Sequence, residues 1–249
     1  MEPEYGVVYA LTLGFLLGLK HATDADHVVA VSTIVGDSKS IWRGLWIGGS
    51  WGLGHTTPLL ILGIIILMFK ETVLDKYESI APFLELGVGF MLIFLGLQVM
   101  WKISSGRLYL HQHVHNDGDH IHIHSTHQQH NQSPSHKGVN LVNHTRPYFR
   151  LKSFIIGIIH GLAGSAAVML ILLPTIGSFW LGLAYILLFG IGTIISMSAI
   201  TLILGLPFAI GKGFKNINVT VSGIAGFASI TLGALITYDF AFNTTLVPF

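Results

Sequence analysis

Apolar residues run through this chain in long stretches, with neither the stripe of an amphipathic helix nor the alternation of a strand. Six such stretches can be drawn, at about 5–35, 44–69, 81–101, 153–173, 179–204 and 217–238. A helix needs roughly 20 mostly apolar residues to cross the hydrocarbon of a bilayer. Inside lipid every backbone polar group must be satisfied within the fold, which leaves helices or a closed barrel. Runs such as 59–69 lack the period-two pattern of a barrel strand. The pattern therefore predicts an all-α integral membrane protein with six transmembrane helices. The first stretch is too long for one straight crossing and holds polar residues in its middle, so room exists there for a break.

Composition agrees. Of 249 residues, 51% are hydrophobic and 10% charged, against about 25% charged in soluble domains. A net charge of +1 points to no nucleic acid and no acidic partner. The absence of cysteine removes disulfides, thiolate metal sites and a cysteine nucleophile. The start, Met1-Glu-Pro-Glu-Tyr5, has no basic region, so no cleaved signal peptide is expected. Six spans leave Lys70 and Lys76 on the side of the termini. Lys39, Arg43, Lys102, Arg107, Lys137, Arg146, Arg150, Lys152, Lys212 and Lys215 fall on the other. By the positive-inside rule both termini lie outside a cell (plasma or inner) membrane, and the loop 102–152 is cytoplasmic. That loop is polar and expected to be disordered. It carries most of the histidines, His111, His113, His115, His120, His122 and His124 among them, in an irregular pattern suited to weak, auxiliary metal binding.

The halves 1–101 and 153–249 resemble each other. Gly18-Leu-Lys-His21 returns as Gly157-Ile-Ile-His160, Gly52-Leu-Gly54 as Gly190-Ile-Gly192, and Gly89-Phe with Leu95-Gly96 as Gly226-Phe with Leu232-Gly233. Three spans per half make the second half inverted relative to the first, an arrangement typical of transporters with a site near mid-membrane. Glycine packing between helices would favour the same residues.

Ionisable residues within a span are costly and usually functional. His21, Asp24, Asp26 and His27 fall within seven residues of the first stretch, the second adds His55, and the fourth adds His160. Imidazole with carboxylate and no sulfur suits Ni²⁺, Co²⁺, Cu²⁺ or Zn²⁺ better than Mg²⁺ or Ca²⁺. On an unbroken helix His21, Asp24 and His27 share a face and Asp26 lies opposite. A break near Ala22–Ala25 would bring Asp26 round. The competing reading is a polar cluster that only holds helices together. Thr56, Thr57, Ser165, Thr193, Ser196 and Ser198 either line a polar path or bond back to their own helix.

The segment Lys20-His-Ala-Thr-Asp-Ala-Asp-His27 resembles the His-x4-Asp-His motif of the nickel/cobalt transporter (NiCoT, or NicO) superfamily. Leu53-Gly-His-Thr-Thr57 resembles its second histidine motif. The resemblance implies a permease for Ni²⁺ and Co²⁺, uptake being the expected direction and efflux the alternative. It implies His21, Asp26, His27 and His55 as metal residues, and favours a broken first helix. Asp24 and His160 remain as alternative ligands or as partners that brace the ligands. The second half lacks the Asp-Thr motifs of the larger importers, and Gly157-Ile-Ile-His-Gly-Leu-Ala-Gly-Ser165 is nearer the shorter, UreH-like branch. The ion is cargo, no prosthetic group is expected, and a cytoplasmic nickel-handling protein is the partner such a permease would serve. An intramembrane hydrolase is disfavoured, since His-Glu-x-x-His and Gly-x-Ser-x-Gly are absent. A metal-sensing receptor would bind the same ion without moving it.

Overall fold

The computed structural model describes residues 3–35, 41–69, 71–105, 150–162, 172–210 and 215–247. Among them the chain forms seven α-helices: α1 (Pro3–His21), α2 (Ala25–Val35), α3 (Ile41–Phe69), α4 (Glu71–Ser104), α5 (Leu151–Gly161), α6 (Phe179–Ile210) and α7 (Lys215–Phe242). A short 3-10 turn, Leu173–Thr175, precedes α6. The loop histidines His111, His113, His115, His120, His122 and His124 lie outside the described residues.

Four helices contain stretches long and apolar enough to cross a membrane: Gly44–Phe69, Ser79–Ser104, Phe179–Leu206 and Asn218–Phe242. The pair α1 and α2 makes a fifth if counted as one span bent by 53°. This is a multi-pass, all-helical membrane protein. Of the stretch 153–173, the described part is α5 and the beginning of the 3-10 turn, with 163–171 outside the description. Several helices outrun their apolar segments. The third stretch was drawn from 81, yet α4 begins at Glu71, because a helix does not end where hydrocarbon does. Its apolar window begins at Ser79, after the charged residues Glu71, Asp75, Lys76 and Glu78 of the sequence.

Lipid tails supply no hydrophobic force between helices, so close packing of small residues must do that work. α6 packs on α3 and α1, α3 also on α5, and α4 on α7, with α2 seated among α4, α6 and α7. Glycines set the approach. A Cβ at Gly18 would strike the Phe189 carbonyl, one at Gly54 the Phe154 carbonyl, and one at Gly157 the Trp51 carbonyl. Gly233 would place a Cβ 2.5 Å from the Gly89 carbonyl oxygen, and Gly96 one 2.5 Å from that of Gly226. Trp51, Leu59, Leu92, Tyr185, Ile186 and Met197 fill the interior, whereas Leu16, Ile61, Phe90, Phe94, Ile195 and Phe227 face outward. An apolar exterior of this extent belongs against lipid.

Candidate metal centre

The centre begins at the break between α1 and α2. Hydrogen bonding changes register there: Thr23 N donates to Lys20 O at 2.8 Å and Asp24 N to His21 O at 3.1 Å, each three residues back. Asp24 O then accepts from the amides of His27 and Val28, both at 3.1 Å, and α2 starts. A break inside a membrane leaves carbonyls that neighbours must satisfy. Here α6 does so. Ser196 Oγ donates to Leu19 O at 2.9 Å, and Thr193 Oγ1, bonded to its own Phe189 O at 2.9 Å, also reaches Gly18 O at 3.3 Å.

The break gives each carboxylate its own imidazole. Asp24 Oδ2 accepts from His21 Nδ1 at 3.1 Å and Oδ1 from Lys20 Nζ at 3.2 Å. Asp26 is 1% exposed. Its Oδ1 accepts from His27 Nδ1 at 2.8 Å and from the His27 amide at 2.9 Å, and its Oδ2 accepts from His160 Nε2 at 2.8 Å. The helix is broken between His21 and Ala25, and the kink turns Asp26 inward while Asp24 keeps His21.

The third and fifth helices, α3 and α5, complete the cluster. α5 lies directly on the turn of α3 that carries His55, because Gly157 and Gly161 have no side chain: a Cβ at Gly161 would strike the His55 carbonyl. That contact delivers His160 beside His27, with ring centroids 4.1 Å apart. His21, His27 and His55 also converge, with centroids 4.6, 4.8 and 5.0 Å apart. Trp51 packs at 5.7 Å from the His160 ring and Phe189 at 5.5 Å from that of His21, walling the cluster.

Two overlapping trios offer ligand atoms all within 4.8 Å of one another: His21, His27 and His55, and Asp26, His27 and His160. His21 Nε2 and His55 Nε2 are 2.9 Å apart, about the spacing of two nitrogens bound at roughly 2.0–2.1 Å and a right angle on one ion. His27 Nε2, His55 Nδ1 and His160 Nδ1 are buried with no hydrogen-bond partner among the described residues. Leaving such atoms unmade is costly, and a metal ion would use a lone pair of this kind. The carboxylates fix the tautomers. A carboxylate only accepts, so Nδ1 of His21 and of His27 carry protons and their Nε2 atoms present lone pairs.

The structure therefore brings His21, Asp24, Asp26, His27, His55 and His160 together. Sequence reasoning missed Trp51 and Phe189, and left Thr193 and Ser196 without a role. A signal existed for three of these. Phe189 stands 138 positions after Trp51, and Thr193 138 after His55, the same offset that relates Gly54 to Gly192.

Fold and cluster define a polytopic helical membrane protein with a buried imidazole–carboxylate centre. The chain is 39% identical over 229 residues to the urease accessory protein UreH of Bacillus sp. (strain TB-90), covering 92% of this chain and 90% of that one. It is 26% identical over 198 residues to a candidate nickel/cobalt efflux system of Methanocaldococcus jannaschii, covering 78% and 74%. A segment of 72 residues is 28% identical to the high-affinity nickel transport protein of Cupriavidus necator, covering 27% and 19%. The chain belongs to the nickel/cobalt transporter superfamily, in its UreH-like branch. No protein-family model and no solved structure matches it.

Proposed function

We propose that the protein is a permease for Ni²⁺ and Co²⁺, working by uptake, with the ion bound in mid-membrane by His21, His27 and His55. The observation that carries this reading is the Nε2 of His27, buried with no partner among the described residues, beside two further imidazoles. Asp24 and Asp26 hold His21 and His27 in the tautomers that present Nε2. Ni²⁺ sheds water to enter, and neutral imidazole suits it and Co²⁺. The relatives named for nickel and cobalt transport support a transporter rather than an enzyme.

Transport requires the site to open alternately to each side, and we propose six spans in two inverted halves that rock about it. Contacts between the halves support this. Exchanging each residue for its repeat mate, 137–139 positions away, turns the Gly18–Phe189 contact into Gly157–Trp51 and the Gly54–Phe154 contact into Gly192–Phe15. It likewise turns Gly52–Ile194 into Gly190–Thr56, and Gly89–Gly233 into Gly226–Gly96. A two-fold relation between halves would generate such pairs. Both termini then lie outside, and the histidine-rich loop collects ions on the cytoplasmic side, where a nickel-handling protein would receive them.

The test is flux of radiolabelled Ni²⁺ into cells or liposomes, for wild type and His27→Ala, with Co²⁺ and Zn²⁺ as competitors. Saturable uptake abolished by the substitution, and blocked best by Co²⁺, is the expected result. Depletion of nickel that depends on His27 would reverse the direction, a reading the name of the M. jannaschii relative favours. Absence of any His27-dependent flux would leave a sensor and refute the permease.

A further inference from the structure

We infer that the centre contains two alternative ion stations that share His27, one within the first half of the chain and one joining the halves, between which the ion is handed. The inference rests on the permease reading and deepens it. The first station is His21, His27 and His55; the second is Asp26, His27 and His160. They differ in what holds them. Every ligand of the first comes from α1, α2 or α3, whereas the second draws His160 from α5.

His27 has its two ring nitrogens on opposite duties. Nδ1 lies 2.8 Å from Asp26 Oδ1, on the side of the second station. Nε2 is buried with no partner among the described residues and is the atom left for the first. Neutral imidazole has a single lone pair, so His27 can serve one station at a time. Two ions cannot be held together, and the chain is a one-ion carrier with two positions. Moving between them asks that the ring protons of His27 and of His160 each change nitrogen, with no net gain or loss of protons.

Spacing fits the second station as well as the first. Asp26 Oδ2 to His160 Nε2 and Asp26 Oδ1 to His27 Nδ1 are both 2.8 Å, near the separation of neighbouring ligands at about 2.0–2.2 Å from an ion. At present protons fill these gaps. An ion replacing them would clamp α5 to the α1–α2 break, and an ion in the first station would not. Occupancy of the second station is thereby tied to how the halves sit, which is what a carrier needs to prevent both gates opening together. The nitrogen-rich first station and the mixed second station also differ in chemistry, so a bound Co²⁺ would show which it occupies.

The experiment uses the full chain in nanodiscs and liposomes, comparing wild type with His55→Ala, His160→Ala, His160→Gln and the His55→Ala/His160→Ala pair. Binding of Ni²⁺ is counted as the excess over His27→Ala, whose loop histidines remain. Wild type should bind one ion per chain. His55→Ala and His160→Ala should each still bind one, with different Co²⁺ absorption spectra, while flux falls tenfold or more. The double variant should bind none. His160→Gln can keep a hydrogen bond to Asp26 but is a poor ligand, so it should fail in flux as His160→Ala does.

Three results would overturn the inference: two ions bound at once in wild type, complete loss of binding in His55→Ala alone, or normal flux in His160→Gln. If wild type itself neither binds nor moves nickel, the permease reading falls, and this falls with it. Normal wild-type transport with any of those three results removes the pair of alternating stations that share His27 and leaves the permease standing.

Discussion

The close approach of α1 to α6 can be tested at Gly192. A Cβ there would sit 2.5 Å from the Phe15 carbonyl oxygen and 3.1 Å from the Leu19 nitrogen, where ordinary contact begins at 3.4 Å. Both obstacles are backbone and cannot rotate away, so Gly192→Ala must part the two helices by about 0.9 Å. Overpacking of this kind costs about 1–3 kcal/mol, which for a chain of this size lowers the melting temperature by roughly 3–10 °C. Function should suffer beyond stability. His21 lies two residues past Leu19, and its Nε2 is 2.9 Å from His55 Nε2. Metal–ligand bonds tolerate only about 0.2 Å, so a shift of that size loosens one ligand and should weaken Ni²⁺ binding about 10–100-fold, as loss of a supporting contact does. The assays are thermal unfolding in detergent and equilibrium Ni²⁺ binding, with Gly87→Ala in α4 as control because its Cβ would meet nothing within 4 Å. A Gly192→Ala chain that melts and binds as wild type does, in a background where Gly87→Ala is silent, would refute the reasoning.

Asp26→Asn replaces an acceptor of two imidazole bonds by an amide that must donate to one of them, and should lower Ni²⁺ affinity about 10–100-fold. Asp24→Asn should cost less, since Asp24 braces His21 alone and its side chain is 23% exposed. Equilibrium dialysis separates the two. Ser196→Ala strands the Leu19 carbonyl at the break and should destabilise the fold by about 1–3 kcal/mol, read as a lower melting temperature, whereas the exposed Ser104→Ala should leave it unchanged. Protonated imidazole cannot bind metal, so Ni²⁺ affinity should be full where the ligands are neutral and fall only once the medium is acidic enough to protonate them. Ni²⁺ binding undiminished at about pH 3, with the fold intact by circular dichroism, would rule out histidine ligation.

Much of this was legible in the sequence because membrane crossing leaves a coarse mark. Uninterrupted apolar runs gave the helices 44–69, 179–204 and 217–238 to within several residues of their observed limits. His21, Asp24, Asp26 and His27 announced themselves as charges where charge is costly. What hydropathy could not supply was helix length beyond lipid, as in the charged first turns of α4, or the path of chain at 163–171. Nor could it show that Asp24 and Asp26 each meet an imidazole. That depends on a three-residue turn whose flanking carbonyls accept from Ser196 and Thr193, more than 170 positions away. Side chains of common type on a distant helix carry no local sign of such a role.

The proposed repeat makes the chemistry of the centre more pointed. His160 is the mate of His21, and the mate of His55 is Thr193, which bonds to Gly18 O and Phe189 O. The mates of Asp24, Asp26 and His27 are Ala163, Ser165 and Ala166. The proposed two-fold scaffold would therefore carry one-sided chemistry: both carboxylates and three of four imidazoles stand in the first half. If the ligands were divided evenly, any rocking of the halves would pull the ion's shell apart. With the first-half trio moving as a body, the proposed rocking would change only its distance to His160. The side chain that retains the repeat's histidine is the one placed to report that motion to the ion, which is why its replacement by glutamine distinguishes a ligand from a brace.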